Sequence, residues 1–408
     1  MITPLLTASQ ALAALIAIVG GTVHPGNGPA VENATVIIDG QKIQAVGAGL
    51  AVPAGATVID AKGKIVTPGL FDPYTRLGLV EIEQIDDTND VDAGGDPIRA
   101  AQRATDSYNP DSQVIAVQAA HGITTVLAAP GGGLISGQAA IFDLNHEATD
   151  TGLAAAAVGQ PVSIGGAGGT SRGALLLTLR EVLDDAAQYA KNRAAWEKGQ
   201  FRDFAGGASR LDLEALQPVL AGKEPLLVTV HRRSDILAVL DLAAELKIKV
   251  VLVGAAEAWQ VAARLAKEKI PVIIDPVENA PESFDMLGAR ADAAALLEKA
   301  GVPVMLSTFS SHNVRKLRQW AGNAVREGMT HAGALTSITA RPAEVFGLKD
   351  HGTLAAGQVA NVVVWSGDPF ETTTIAERVF VRGAPSGDDH RQKRLLNRYR
   401  SLPPVKKP

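Results

Sequence analysis

The chain has 408 residues, 46% of them apolar but only 4% aromatic, so a large core is filled mainly by Ala, Val, Leu and Ile. A formal net charge of −5 excludes a general affinity for nucleic acid, and the lack of cysteine excludes disulfides, thiolate metal sites and a cysteine nucleophile. No stretch reaches the roughly 18 uninterrupted apolar residues of a membrane-spanning helix.

Residues 1–19 are mostly small and apolar and contain Ala-Leu-Ala at 11–13, the pattern of a signal-peptide core and cleavage site. The basic segment that normally precedes such a core is absent, since no Lys or Arg occurs before Lys42. Localisation therefore stays open: periplasmic or secreted if residues 1–13 are a signal peptide, cytoplasmic otherwise. From Ile16 to Val66, short β-runs (Ile16–Val19, Thr35–Asp39, Lys42–Val46, Thr57–Asp60) alternate with Gly and Asn turns, which predicts a small antiparallel sheet. A matching set at Ala360–Trp365 and Arg378–Val381 predicts one β-domain built from both chain ends.

Between these ends, apolar strand candidates at Thr124–Ala128, Leu226–His231, Lys249–Val253, Val272–Asp275 and Val302–Ser307 alternate with helical stretches. The helices Ile236–Leu246 and Ala258–Lys267 show apolar residues at three- and four-residue spacing. Repeated βα units over about 270 residues predict a (β/α)8 TIM-like barrel, with chemistry at the C-terminal strand ends. The expected division is 1–15 as a leader or disordered segment, 16–66 and 348–385 as the two parts of a composite β-sandwich domain, 67–347 as the barrel, and 386–408 as a basic tail. Residues 81–112, rich in Asp and Glu, read as a lid-like acidic insertion without a calcium-loop pattern. Residues 159–173 hold a glycine-rich run at 165–169 but lack the lysine of a phosphate-binding loop, so they read as a mobile loop before a helix that begins near Arg172.

Several segments together carry a family resemblance. Gly-Gly-Thr-Val-His-Pro-Gly at 20–26, Val-Thr-Pro-Gly-Leu-Phe-Asp-Pro-Tyr-Thr-Arg at 66–76, Ile-Thr-Ala-Arg-Pro-Ala-Glu-Val-Phe-Gly-Leu at 338–348 and Gly-Thr-Leu-Ala-Ala-Gly-Gln-Val-Ala-Asn at 352–361 resemble the framework of the amidohydrolase superfamily. Asp87-Thr88-Asn89, the 109–111 turn and Gly122-Ile123-Thr124-Thr125-Val126 are most similar to imidazolonepropionase-like members. The resemblance implies a divalent metal pair held by a His-x-His from the first barrel strand, histidines from the fifth and sixth strands and an aspartate from the eighth. Here those positions fall on Tyr74 and Arg76, on the retained His231, on Gly254 and on Phe309. Glycine and phenylalanine are no ligands, and arginine stays protonated. A guanidinium about 4 Å from a divalent cation costs on the order of 8 kcal/mol at an effective dielectric of about 20.

Two functions are therefore expected to compete. The first is a metal-free pseudoenzyme without a cofactor, which binds a small molecule or acts as partner subunit to an active amidohydrolase paralogue within a homo- or hetero-oligomer. Its candidate site comprises His231 as the one catalytic candidate, with Tyr74, Arg76, Glu257, Phe309 and His312 contacting the ligand and Glu257 available to pair with Arg76. The second is hydrolysis of carbon–nitrogen bonds, such as cyclic amides, at a reduced divalent-metal site, zinc for instance, built from His231, His312 and Glu257. A third, metal-independent chemistry would use Tyr74 as acid and Arg76 as oxyanion partner.

Overall fold

The structure, a computed structural model, describes residues 15–92, 94–145, 150–165, 170–200, 207–277 and 281–400. The leader expectation for residues 1–13 and most of the glycine-rich run at 165–169 lie outside these residues, while the loop expected from residue 159 is strand as far as Ser163, where the backbone pairs with the neighbouring barrel strand.

Five strands open the chain: β1 (Leu15–Val23), β2 (Val31–Asp39), β3 (Lys42–Ala48), β4 (Thr57–Asp60) and β5 (Ile65–Pro68). Eight barrel strands follow, β6 (Leu70–Thr75), β7 (Ile123–Ala128), β8 (Ala139–Asp143), β9 (Leu153–Ser163), β10 (Leu226–Val230), β11 (Val250–Gly254), β12 (Val272–Ile274) and β13 (Val304–Leu306). The chain returns through β14 (Val362–Trp365), β15 (Ala376–Val381) and β16 (Ala384–Pro385) to the first sheet. There β14 pairs antiparallel with β5, so both chain ends share one eight-stranded sheet, as the alternation in the two terminal segments predicts. Its inward residues, among them Ile16, Ile18, Val36, Ile38, Val362 and Phe380, form a core of their own.

The second sheet runs in the order β13 to β6 and is the expected barrel, with one departure. β8 is antiparallel to both β7 and β9, so the third and fourth strands are joined without a crossover helix. Period-two alternation sorts the barrel side chains. Leu227, Val251, Val253, Ile273 and Met305 point inward, while Leu226, Val228, Leu252 and Val304 pack against the surrounding helices. β7 is buried at all six positions, as a strand covered on both faces should be.

The seam between β13 and β6 is made by side chains. Asp72, fully buried, accepts hydrogen bonds from Ser307 Oγ (2.6 Å), Thr308 Oγ1 (2.7 Å) and Thr308 N (3.1 Å). Burial drives its pKa up to about 6 against these hydrogen bonds, which favour the carboxylate. A second buried carboxylate, Asp143, ties the barrel to the β-domain. It accepts from Thr125 (2.9 Å), Asn361 (2.8 Å) and Arg382 (2.8 Å) and contacts His351 at 3.1 Å. These groups outweigh its burial and hold its pKa below the ordinary carboxylate value.

The acidic insertion is a packed lip over the barrel. Val91, Ile98, Ala104 and Tyr108 are buried, Tyr108 stacks on Phe142 at 3.6 Å, and single bridges join Asp92 to Gly131, Ile98 to Ile135 and Arg103 to Gln138. Its charges still face water at Asp86, Asp87 and Asp90. Apolar residues spaced between the acids anchor the segment.

Candidate functional site

At the C-terminal strand ends a cavity of about 450 Å³ opens into the barrel. It is lined among others by Tyr74, Arg76, Ser136, Ser163, Thr229, His231, Gly254, Met286 and Phe309. Alternation along β10 makes this placement intelligible: Leu227 points into the core, Thr229 lies two residues on, and His231 lies two beyond that. On the first strand the register slips between Asp72 and Thr75. Asp72 thereby turns into the seam while Tyr74 and Arg76 both reach the cavity.

The position opposite His231 is decisive. A Cβ on Gly254 would stand 2.5 Å from His231 Cε1 and within 3.2 Å of both ring nitrogens. The imidazole therefore lies on the backbone where a sixth-strand histidine would begin. Gly254 also has a φ of +77°, the left-handed region that favours glycine. Burial pushes the His231 pKa below the ordinary imidazole value, opposed only by the charge of Asp285, so the ring is neutral at pH 7. Its Nδ1 is buried without a hydrogen-bond partner among the described residues.

Across the cavity, the rings of Tyr74 and Phe309 meet at 5.6 Å and 51°. Burial raises the Tyr74 pKa, against a hydrogen bond with the Thr229 hydroxyl and the charge of Arg76. Phe309 is held at a φ of +50°, with its N–H donating to Ser307 Oγ at 3.1 Å. Arg76 is exposed, and no carboxylate of the described residues lies within ion-pair distance of it.

Two residues expected here stand elsewhere. Glu257 accepts the backbone N–H of Arg233 at 2.7 Å and so caps the helix Arg233–Leu246; it neither lines the cavity nor pairs with Arg76. His312 holds the acidic lip to the eighth strand, through Nε2 to Glu81 O (2.9 Å) and Nδ1 to Glu83 (3.2 Å), and it too lies off the cavity. His231, Glu257 and His312 therefore do not form one site. Sequence reading passed over Ser136, Ser163, Thr229 and Met286, whose only signal was their position at strand ends or in the loops beyond them.

The donor set does not fit the metal pair implied for this type of barrel. Tyr74 and Arg76 hold the first-strand positions, the His231 ring fills the space above Gly254, and Ser307, Thr308 and Phe309 present no carboxylate at the eighth. Among the described residues, no three His, Asp or Glu side chains come together as metal ligands.

Residues 220–388 match the model of the amidohydrolase family. The chain is 24% identical to an imidazolonepropionase of Idiomarina loihiensis over 386 residues, covering 82% of this chain and 86% of that protein. It is 21% identical to the amidohydrolase tasK of Hapsidospora irregularis over 373 residues, which is 83% of this chain but only 38% of tasK. The crystal structure of an amidohydrolase from Thermotoga maritima MSB8 superposes with a TM-score of 0.82 at 26% identity, over 91% of this chain and 99% of that one. Molinate hydrolase shares the fold at a TM-score of 0.56 and 19% identity, over 91% of this chain and 94% of that one.

Proposed function

Because the chain belongs to the amidohydrolase superfamily, we propose that it keeps the family's barrel mouth as a small-molecule binding site that works without the metal pair. The observation that carries this reading is the His231 imidazole seated on Gly254. One retained histidine occupies the volume that a second ligand requires, and Arg76 places a fixed positive charge where a cation would otherwise be approached. What remains is a half-polar cavity of a size suited to a small ligand, with a neutral imidazole, a phenol bonded to Thr229, and the Ser163 hydroxyl on its wall. The protein then acts as a ligand-binding pseudoenzyme, alone or as partner subunit to an active paralogue.

The competing reading, hydrolysis of carbon–nitrogen bonds, is favoured by the names of the similar proteins. It requires ligands that the cavity does not assemble, since Glu257 and His312 are engaged elsewhere. Elemental mass spectrometry of the purified, dialysed protein decides between them. The binding reading expects under about 0.1 equivalents of zinc, manganese, iron and nickel per chain, and one or two equivalents would overturn it.

A further inference from the structure

The cavity lining is electrically lopsided. Among the described residues that line it, Arg76 is the only one with a permanently charged side chain, none is Asp or Glu, and His231 is held neutral by burial. Three acids around the rim are engaged with other groups, Asp285 with Arg172 among them. Glu83 accepts from Ser311 at 2.6 Å and contacts His312 at 3.2 Å, and Asp92 accepts the Gly94 N–H at 2.8 Å with its carboxylate against Gly132. Arg76 itself lies beside Gly131, where a Cβ would come within 3.4 Å of its Nη2, so the guanidinium rests along bare backbone, and the Glu83 carboxylate feels its charge without reaching ion-pair distance. The Tyr74 and Phe309 rings and the Met286 side chain line the same cavity, an apolar surface able to receive a flat group.

We infer that the mouth binds a small organic carboxylate whose anion pairs with Arg76 and whose flat apolar body lies against Tyr74 and Phe309. The Ser163 hydroxyl, and the lone pairs of Ser136, whose own hydrogen goes to Gly132 O at 2.7 Å, then serve the ligand's remaining polar atoms. Guanidinium and carboxylate match as a two-pronged hydrogen-bonded pair, which explains why an arginine suits this position better than any neutral replacement for a histidine. A phosphate would satisfy Arg76 alone but would leave the aromatic wall unused. This inference rests on the reading of the mouth as a metal-independent binding site.

The test is isothermal titration of the full chain with hippurate and with its neutral amide hippuramide, each in the presence of EDTA and again with added zinc. Hippurate is expected to bind in EDTA, and hippuramide about tenfold or more weaker. Arg76→Gln is expected to level the two, while Arg76→Lys keeps part of the difference; thermal melts verify that both variants fold, as the exposed position of Arg76 predicts. Equal affinity for the two probes in the wild type and in Arg76→Gln would overturn the carboxylate assignment and leave the binding site standing. Binding that appears only with zinc would overturn the metal-independent reading instead. No heat of binding from hippurate, benzoate or phenylacetate at millimolar concentration would overturn the inference itself.

Discussion

Replacing Gly254 by alanine adds one methyl group at the point where the metal-free reading is decided. The added Cβ meets His231 Cε1 at 2.5 Å, well inside ordinary van der Waals contact, and the backbone there has a φ of +77°. An L side chain in the left-handed region costs roughly 1–2 kcal/mol, and forcing a close-packed ring aside costs about 1–3 kcal/mol more. Gly254→Ala is thus expected to lose on the order of 2–5 kcal/mol in urea denaturation followed by circular dichroism. The two contributions separate in a double-mutant cycle. In His231→Ala/Gly254→Ala the overlap vanishes and only the backbone cost remains, so the double variant is more stable than the sum of the single effects by about 1–3 kcal/mol. A Gly254→Ala variant within about 0.5 kcal/mol of wild type, or single effects that simply add, would refute the claim that His231 occupies the sixth-strand ligand volume. The same Cβ begins every histidine, so the cycle also measures what rebuilding that ligand would require.

Restoring histidines at Tyr74 and Arg76 together is expected to yield no zinc-dependent amide hydrolysis, because Gly254 and the 307–309 segment still offer no ligand; turnover that appears with zinc and disappears with EDTA would refute this. Asp72→Asn is expected to cost about 1–3 kcal/mol in urea denaturation at pH 7. Each Asp72 oxygen accepts one backbone N–H, from Tyr74 at 3.3 Å and from Thr308 at 3.1 Å, and an amide can present an oxygen to only one of them. In the wild type the Asp72 pKa is raised on folding from 3.8 to about 6, so its contribution to stability is fully present below about pH 4 and is lost as pH rises through about 6. At roughly 1.4 kcal/mol per unit that loss is about 3 kcal/mol. Stability profiles of wild type and Asp72→Asn between pH 4 and 7 are therefore expected to converge toward the high end, and parallel profiles would show that Asp72 does not titrate in this window.

The amino-acid order by itself determined the architecture, because the signals involved are local and repeated. Alternation in the two terminal segments announced a shared β-domain, and the apolar runs ending near His231, Val253 and Ser307 announced barrel strands whose ends gather the functional residues. It also raised the expectation that Tyr74, Arg76 and Gly254 stand at ligand positions, since a side chain without a suitable donor atom holds no metal, whatever the fold does around it. Tertiary structure alone decided which survivors act together. Glu257 and His312 sit near strand ends in sequence, yet one caps a helix and the other pins the lip, because backbone N–H groups and carbonyls left open at those places bind them first. The antiparallel β8 and the buried anchors of the acidic lip depend on long-range packing that no local periodicity records. The seating of His231 on Gly254 is of the same kind: a glycine shows that a side chain is missing, and only the folded barrel shows what fills its place.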